Sequence, residues 1–324
     1  MRLVLACAFA CAIPALAQFP FIPMTPQPLI SGAGYGTPFP VAVAPGQLIT
    51  LIVDGVNVGP AQAASGSALP TILNGVSATF GQLMDQPVPI LEVGSVSSCP
   101  ISGTTSCVAL VAVTIQIPYG IQTACPLCAS PIAAAPASVS VNVSGSVSPA
   151  FNALALADQV HIVTECDVMV SGYPVPPPLS RVMPCPPFIT HADGSRVAAS
   201  HAARGGEKLV AYAVGLGETD PPIETGQIAT QAVPTLETFQ LDFNYRPNAL
   251  ATKPIPGATS PSYAGLTPGF AGLYQVNFTV PRPPPDLAPC AEGIVAGSYA
   301  VYSNLTVSIG GAFSFDGAGI CVGP

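Results

Sequence analysis

From Tyr274 to Val280 the chain alternates. Tyr274, Val276, Phe278 and Val280 are apolar, while Gln275, Asn277 and Thr279 are polar. Side chains of an extended strand leave on opposite faces in turn, so this period of two predicts a strand with one buried and one wet face. Pro268-Gly269 marks a turn ahead of it, and Pro281 ends it, having no N–H to give a neighbouring strand. The construction also stands earlier, as Val111, Val113, Ile115 and Ile117 against Ala112, Thr114 and Gln116, stopped by Pro118. Further strands are predicted over 47–53, 71–80 with a turn at Asn74-Gly75, 88–93, 138–144 and 160–170, then 207–214, 236–245, 299–309 and 312–315. Val139, Val141 and Val143 share one face, as do Leu241, Phe243 and Tyr245. Helical periodicity is nearly absent, and the expected class is all-β.

The pattern repeats. Gly46 and Gly206 stand 160 apart, as do Gly55 and Gly215; Pro118 and Pro281 are 163 apart, and Gly145 and Gly310 are 165 apart. Ordered anchors with a slowly drifting offset predict a duplicated unit. The organisation expected is a first β-sandwich over 39–157 and a second over 205–324. Between them runs a connector, 158–204, rich in proline (Pro176-Pro177-Pro178) and pinned by disulfide. Residues 18–38 form a proline-rich lead-in.

Composition fixes the setting. Arg2, an apolar run over 3–16 and Ala15-Leu16-Ala17 before Gln18 describe a secretory signal peptide, 1–17, which carries Cys7 and Cys11 away with it. Export to the cell surface or beyond is the expected location. No other apolar run approaches the ~20 residues of a spanning helix, so no membrane span is expected in the mature chain. An outer-membrane β-barrel is the membrane alternative; 39 prolines and no Trp for an aromatic girdle speak against it. Charged residues are 7% of the chain, against about 25% in ordinary soluble proteins. Without Arg2 the mature chain has 7 basic and 16 acidic residues, a net charge of −9, and no Lys or Arg from 18 to 180. That excludes nucleic acid, whose binding rests on cations neutralising phosphates. Eight cysteines in an exported chain predict disulfides. The simplest pairing joins neighbours: Cys99–Cys107, Cys125–Cys128, Cys166–Cys185 and Cys290–Cys321.

The runs Ala203-Arg-Gly-Gly-Glu-Lys-Leu-Val-Ala-Tyr-Ala-Val-Gly-Leu-Gly217 and Tyr263-Ala-Gly-Leu-Thr-Pro-Gly-Phe-Ala-Gly-Leu-Tyr-Gln-Val-Asn277, with the Pro221-Pro222 loop ending at Gly226, carry a family resemblance. They resemble the uncharacterised C-terminal domain of Solibacter-type acidobacterial secreted proteins. The resemblance covers roughly 188–310. The first half is similar more loosely, through Ala44-Pro-Gly-Gln-Leu-Ile-Thr50 and Ile115-Gln-Ile-Pro-Tyr119. It implies an immunoglobulin-like, extracellular module and brings no activity, cofactor or site residues. The extra cysteines depart from the family pattern.

Candidate chemistry is sparse. Cys125-Pro-Leu-Cys128 has the spacing of a redox or zinc half-site, but neither a following helix nor a second ligand pair accompanies it, so a small structural disulfide is expected. His191 and Asp193 with His201 are a metal candidate set against the plainer reading of an exposed Gly/Ser-rich turn; His161 stands apart. Glu218, Asp220 and Glu224 gather after Gly215-Leu-Gly217, where a calcium loop and a stiff solvated turn compete. Gly215 and Gly217 read as positive-φ positions of that turn. The glycosylation sequons at Asn142, Asn277 and Asn304 fall inside expected strands and read as chance. No serine-hydrolase elbow or phosphate-cradling loop occurs. The sequence thus predicts two tandem immunoglobulin-like β-sandwiches acting as a secreted, non-enzymatic structural or interaction module for a protein or glycan partner, with no catalytic, cofactor or metal residues. The alternative is a secreted hydrolase in which Glu218, Asp220 and Glu224 converge with His191 or His201.

Overall fold

The computed structural model describes residues 27–33, 41–98, 108–124, 136–165, 167, 185–290 and 301–323. The expected signal peptide, most of the lead-in, the proline-rich middle of the connector and Cys99, Cys107, Cys125, Cys128 and Cys166 lie outside them.

Among the described residues the regular elements are all strands. In the first half these are β1 (Leu29–Ala33), β2 (Val41–Val43), β3 (Leu48–Asp54), β4 (Gln62–Ala63), β5 (Ile72–Leu73) and β6 (Val76–Gly81). They continue with β7 (Asp85–Val88), β8 (Ile90–Ser98), β9 (Val108–Gln116), β10 (Ala137–Val143), β11 (Ser146–Val147) and β12 (Phe151–Ala155). The second half has β13 (His161–Ile162), β14 (Ile189–His191), β15 (Lys208–Val214), β16 (Val233–Pro234) and β17 (Gln240–Asn244). Then come β18 (Tyr263–Leu266), β19 (Tyr274–Thr279), β20 (Leu305–Gly310) and β21 (Phe315–Ile320).

They form open sheets in the orders β1-β3-β9-β8-β4 and β2-β12-β10-β6-β5, then β13-β15-β19-β18-β16 and β17-β20-β21, with β14 also paired to β15. Each half closes its two sheets over its own apolar interior. In the first, Ile49, Leu51 and Val53 of β3 lie opposite Ile115, Val113 and Val111 of β9 and meet Val139 and Val141 of β10 from the other sheet. In the second, Ala211 and Ala213 of β15 lie opposite Val276 and Tyr274 of β19, the small residues leaving room for the large. The order recurs between halves. β3-β9-β8-β4 is matched by β15-β19-β18-β16, and β12-β10-β6 by β21-β20-β17. β2 runs parallel to β12, as Ala203 does to Val322.

The organising strand β19 follows its expected pattern, with Tyr274, Val276, Phe278 and Val280 buried and Thr279 exposed. The expected wet face of β9 does not. Ala112, Thr114 and Gln116 are buried, Thr114 hydrogen-bonded to Thr50 at 3.0 Å and Gln116 enclosed where the two halves meet. β20 is buried on both faces because the strap after β17 crosses its outer side: Thr306 Oγ1 donates to the Ala249 carbonyl at 2.7 Å, and Ser308 Oγ accepts the Thr252 amide at 3.2 Å. β21 begins at Phe315, where the strand expected over 312–315 was to end, and runs on to Ile320 through glycines whose Cβ atoms would strike Ala251 and Ser303. Of the strand expected over 160–170, the described residues 160–165 and 167 show His161–Ile162 as strand, with Thr164 turned back on the Asp167 carboxylate, and the remainder lies outside the described residues. Within the span read as connector, β13 and β14 both pair with β15.

Candidate functional site

Ionisable side chains collect where the second half begins. Asp158, wholly buried, accepts the amides of Phe313 and Ser314 at 2.9 and 2.8 Å and the Ser314 hydroxyl at 2.7 Å. Ser314 Oγ in turn accepts the Val160 amide at 2.7 Å. A buried carboxylate persists only with such partners, and here they are three donors of the β20–β21 turn. Beside it, Gly215 and Gly217 do hold positive φ, +77° and +84°. Their second role is clearance: a Cβ on either would stand 2.0 or 2.3 Å from the carbonyl oxygens of Gln159 and Ala157.

Three residues after Asp158, His161 sits between carboxylates, Nε2 at 2.9 Å from Asp167 and Nδ1 at 3.3 Å from Asp316. Burial works to lower its pKa, but the hydrogen bonds and charges of Asp167 and Asp316 outweigh it and raise the imidazole to about 9. It is an imidazolium at neutral pH, tying edge strand β13 of one sheet to β21 of the facing sheet. Asp316 Oδ2 also accepts the Ile162 amide at 2.8 Å.

His191, on β14, is buried. Its Nδ1 meets Glu207 Oε1 at 2.6 Å, and its Nε2 meets the His201 carbonyl oxygen at 3.2 Å. The exposed His201 ring stacks on it with centroids 4.1 Å apart. Burial raises the Glu207 carboxyl, yet the His191 hydrogen bond, the Arg204 amide and their charges leave it below its usual value. Asp193, fully exposed, turns onto its own loop through the hydroxyl and amide of Ser195. Both ring nitrogens of His191 are therefore taken up within the fold, whereas a general base presents one to its substrate. Among the described residues no group of three or more His, Cys, Asp or Glu side chains is arranged to hold a metal.

The acidic loop lies elsewhere. Asp220 and Glu224 are exposed, Glu218 is half-buried, and among the described residues no ion pair joins them to His191 or His201. Its local structure is backbone-held: the Asp220 amide donates to Pro234 and the Leu236 amide to Glu218. Glu218 instead sits near Tyr274, whose hydroxyl donates to the Gly217 carbonyl and receives that of Tyr119 at 3.1 Å. Burial pushes the Tyr119 phenol up to about 12, against the pull of the Tyr274 hydrogen bond. Tyr274 is raised well above its ordinary value by burial, with Tyr119 and Glu218 adding to it. These phenols stay neutral and act as hydrogen-bond links. The pair escaped sequence reasoning because its members are 155 residues apart.

Cys290 and Cys321 are disulfide-bonded with Cα atoms 5.8 Å apart, and Cys185 is disulfide-bonded as well. Asn304 is fully buried, its amide donating to Ala288 and Val322 carbonyls and accepting the Val322 amide, so that sequon has no room for a glycan in the folded chain. No helix among the described residues is long and apolar enough to cross a membrane. No protein-family model and no curated protein matches the chain.

Proposed function

We propose that the chain is a secreted, non-enzymatic structural or interaction module of two tandem immunoglobulin-like sandwiches, which binds a protein or glycan at the cell surface. The observation that carries this reading is the strand order. β1-β3-β9-β8 stands to β12-β10-β6 as the four-stranded and three-stranded sheets of an immunoglobulin domain stand to each other, and most of the order recurs in the second half. The resemblance of 188–310 to the Solibacter-type secreted domain supports the same reading. So does the use of the enclosed ionisable groups, since buried Asp158 and His191 and half-buried His161 each hold strands and turns in place.

The test has two arms on the purified chain 18–324. A glycan array and a panel of reconstituted surface proteins are expected to give saturable binding. A panel of chromogenic esters, glycosides and peptides is expected to give no turnover above a blank. Turnover that disappears in Glu218→Gln or His191→Ala would replace this reading with the hydrolase.

A further inference from the structure

We infer that the two sandwiches are locked into one rigid body that opens and unfolds as a unit, through a joint built on Gln116 and Tyr119. This goes beyond the proposed function and holds whatever the chain binds. Gln116 ends β9 and is fully buried, its Oε1 accepting the Gly226 amide at 2.6 Å and its Nε2 donating to the Gly46 carbonyl at 3.2 Å. One side chain thus fastens backbone of both halves. Three residues on, the Tyr119 amide donates to Thr225 Oγ1 at 2.9 Å, and its hydroxyl reaches Tyr274 and through it Gly217. Backbone completes the seam, the Leu69 amide donating to Gly226 and the Ile228 amide to Ser67. Beneath it, Leu48 and Leu91 of the first half pack with Val163, Val214, Phe188 and Leu273 of the second.

A hinge needs slack, and the linker has little. Between β12 and β13 the Leu156 amide is held by Val43, the Asp158 carboxylate by the β20–β21 turn, and the Gln159 amide by Gly215. Opening the joint strips buried polar groups of partners and exposes apolar surface together, so the interface behaves as core rather than as a loose contact between domains.

Hydrogen exchange by mass spectrometry on the mature, disulfide-intact chain tests this. The expected result is that the amides of Leu69, Gly226 and Ile228 exchange at least about a thousandfold slower than unprotected amides, alongside those of β9 and β19. Calorimetry is expected to show one transition with equal calorimetric and van't Hoff enthalpies. Gln116→Leu keeps the volume but loses both joint bonds, and should speed exchange at 224–228 about tenfold or more while the cores stay protected. Fast exchange at the joint of the native chain, two separate transitions, or an unchanged Gln116→Leu variant would each overturn the inference. Should Gln116→Leu fail to fold, Tyr119→Phe, which loses the phenol link alone, takes its place under the same criterion.

Discussion

At the scale of single residues, charge in this chain serves to hold backbone. His161 is the case with a pH signature. Its folded pKa of about 9 lies above the model-peptide value of 6.5, so its contribution is fully present below pH 6.5 and drains away as pH rises through 9. The linkage is worth on the order of 3 kcal/mol. Denaturant midpoints of the native chain should therefore fall between pH 6.5 and 9, while His161→Gln, with no proton to lose, stays flat over that window. The His161 ring titrating near 6.5 in the NMR spectrum would contradict the clamp. Asp158 makes the complementary prediction. Removing an acceptor that serves three donors leaves them stranded, so Asp158→Ala should cost about 3 kcal/mol in denaturant unfolding. Asp158→Asn should recover little of it, because an amide NH₂ would face one of those N–H groups. Full recovery by Asn would mean that shape, not acceptor count, matters there.

At the scale of elements, sheet faces are finished by polar side chains that bond to whatever crosses them. The strap over β20 is held by Thr306 and Ser308, so Thr306→Val, nearly the same size, should cost about 1 kcal/mol and speed amide exchange across 248–252. Equal exchange in variant and native chain would show that the strap is held by other contacts. The same feature marks how far a period of two can be read. β3, β9, β10, β15 and β19 were legible because their inward faces are Val, Ile, Leu and aromatic residues, and the Asn74-Gly75 turn because both residues adopt positive φ. Alternation says which positions are polar, not whether water or a second half covers them, and so Thr114 and Gln116 were misplaced in solvent. β21 is displaced from its expected 312–315 because its glycines, which weaken any strand signal, are needed where the strap and Ser303 press close. The groupings of His161 with Asp316 and of Tyr119 with Tyr274 span about half the chain. Only the register of paired sheets brings them together, and one sequence does not display that register.

At the scale of the whole molecule, the question is how far a local change travels. The Cys290–Cys321 bond closes a loop with a sequence separation of 31 in the second half, where Asn304 also stitches the ends of the segment together. In the chain-entropy account a loop of that size contributes about 3–4 kcal/mol. Replacing both cysteines by serine removes that contribution from the second half alone. If the two cores were independent, exchange of the deeply buried β3 and β9 amides in the first would not notice. With the Gln116 joint coupling them, any opening that exposes β9 fully must open the second core too, so its protection is set by the stability of the pair. The double variant should therefore lose protection in β3 and β9 by close to the factor seen in β19 and β20, and its single calorimetric transition should move down without splitting. Loss confined to β19 and β20, with β3 and β9 as slow as in the native chain, would mean that the two cores stand or fall separately.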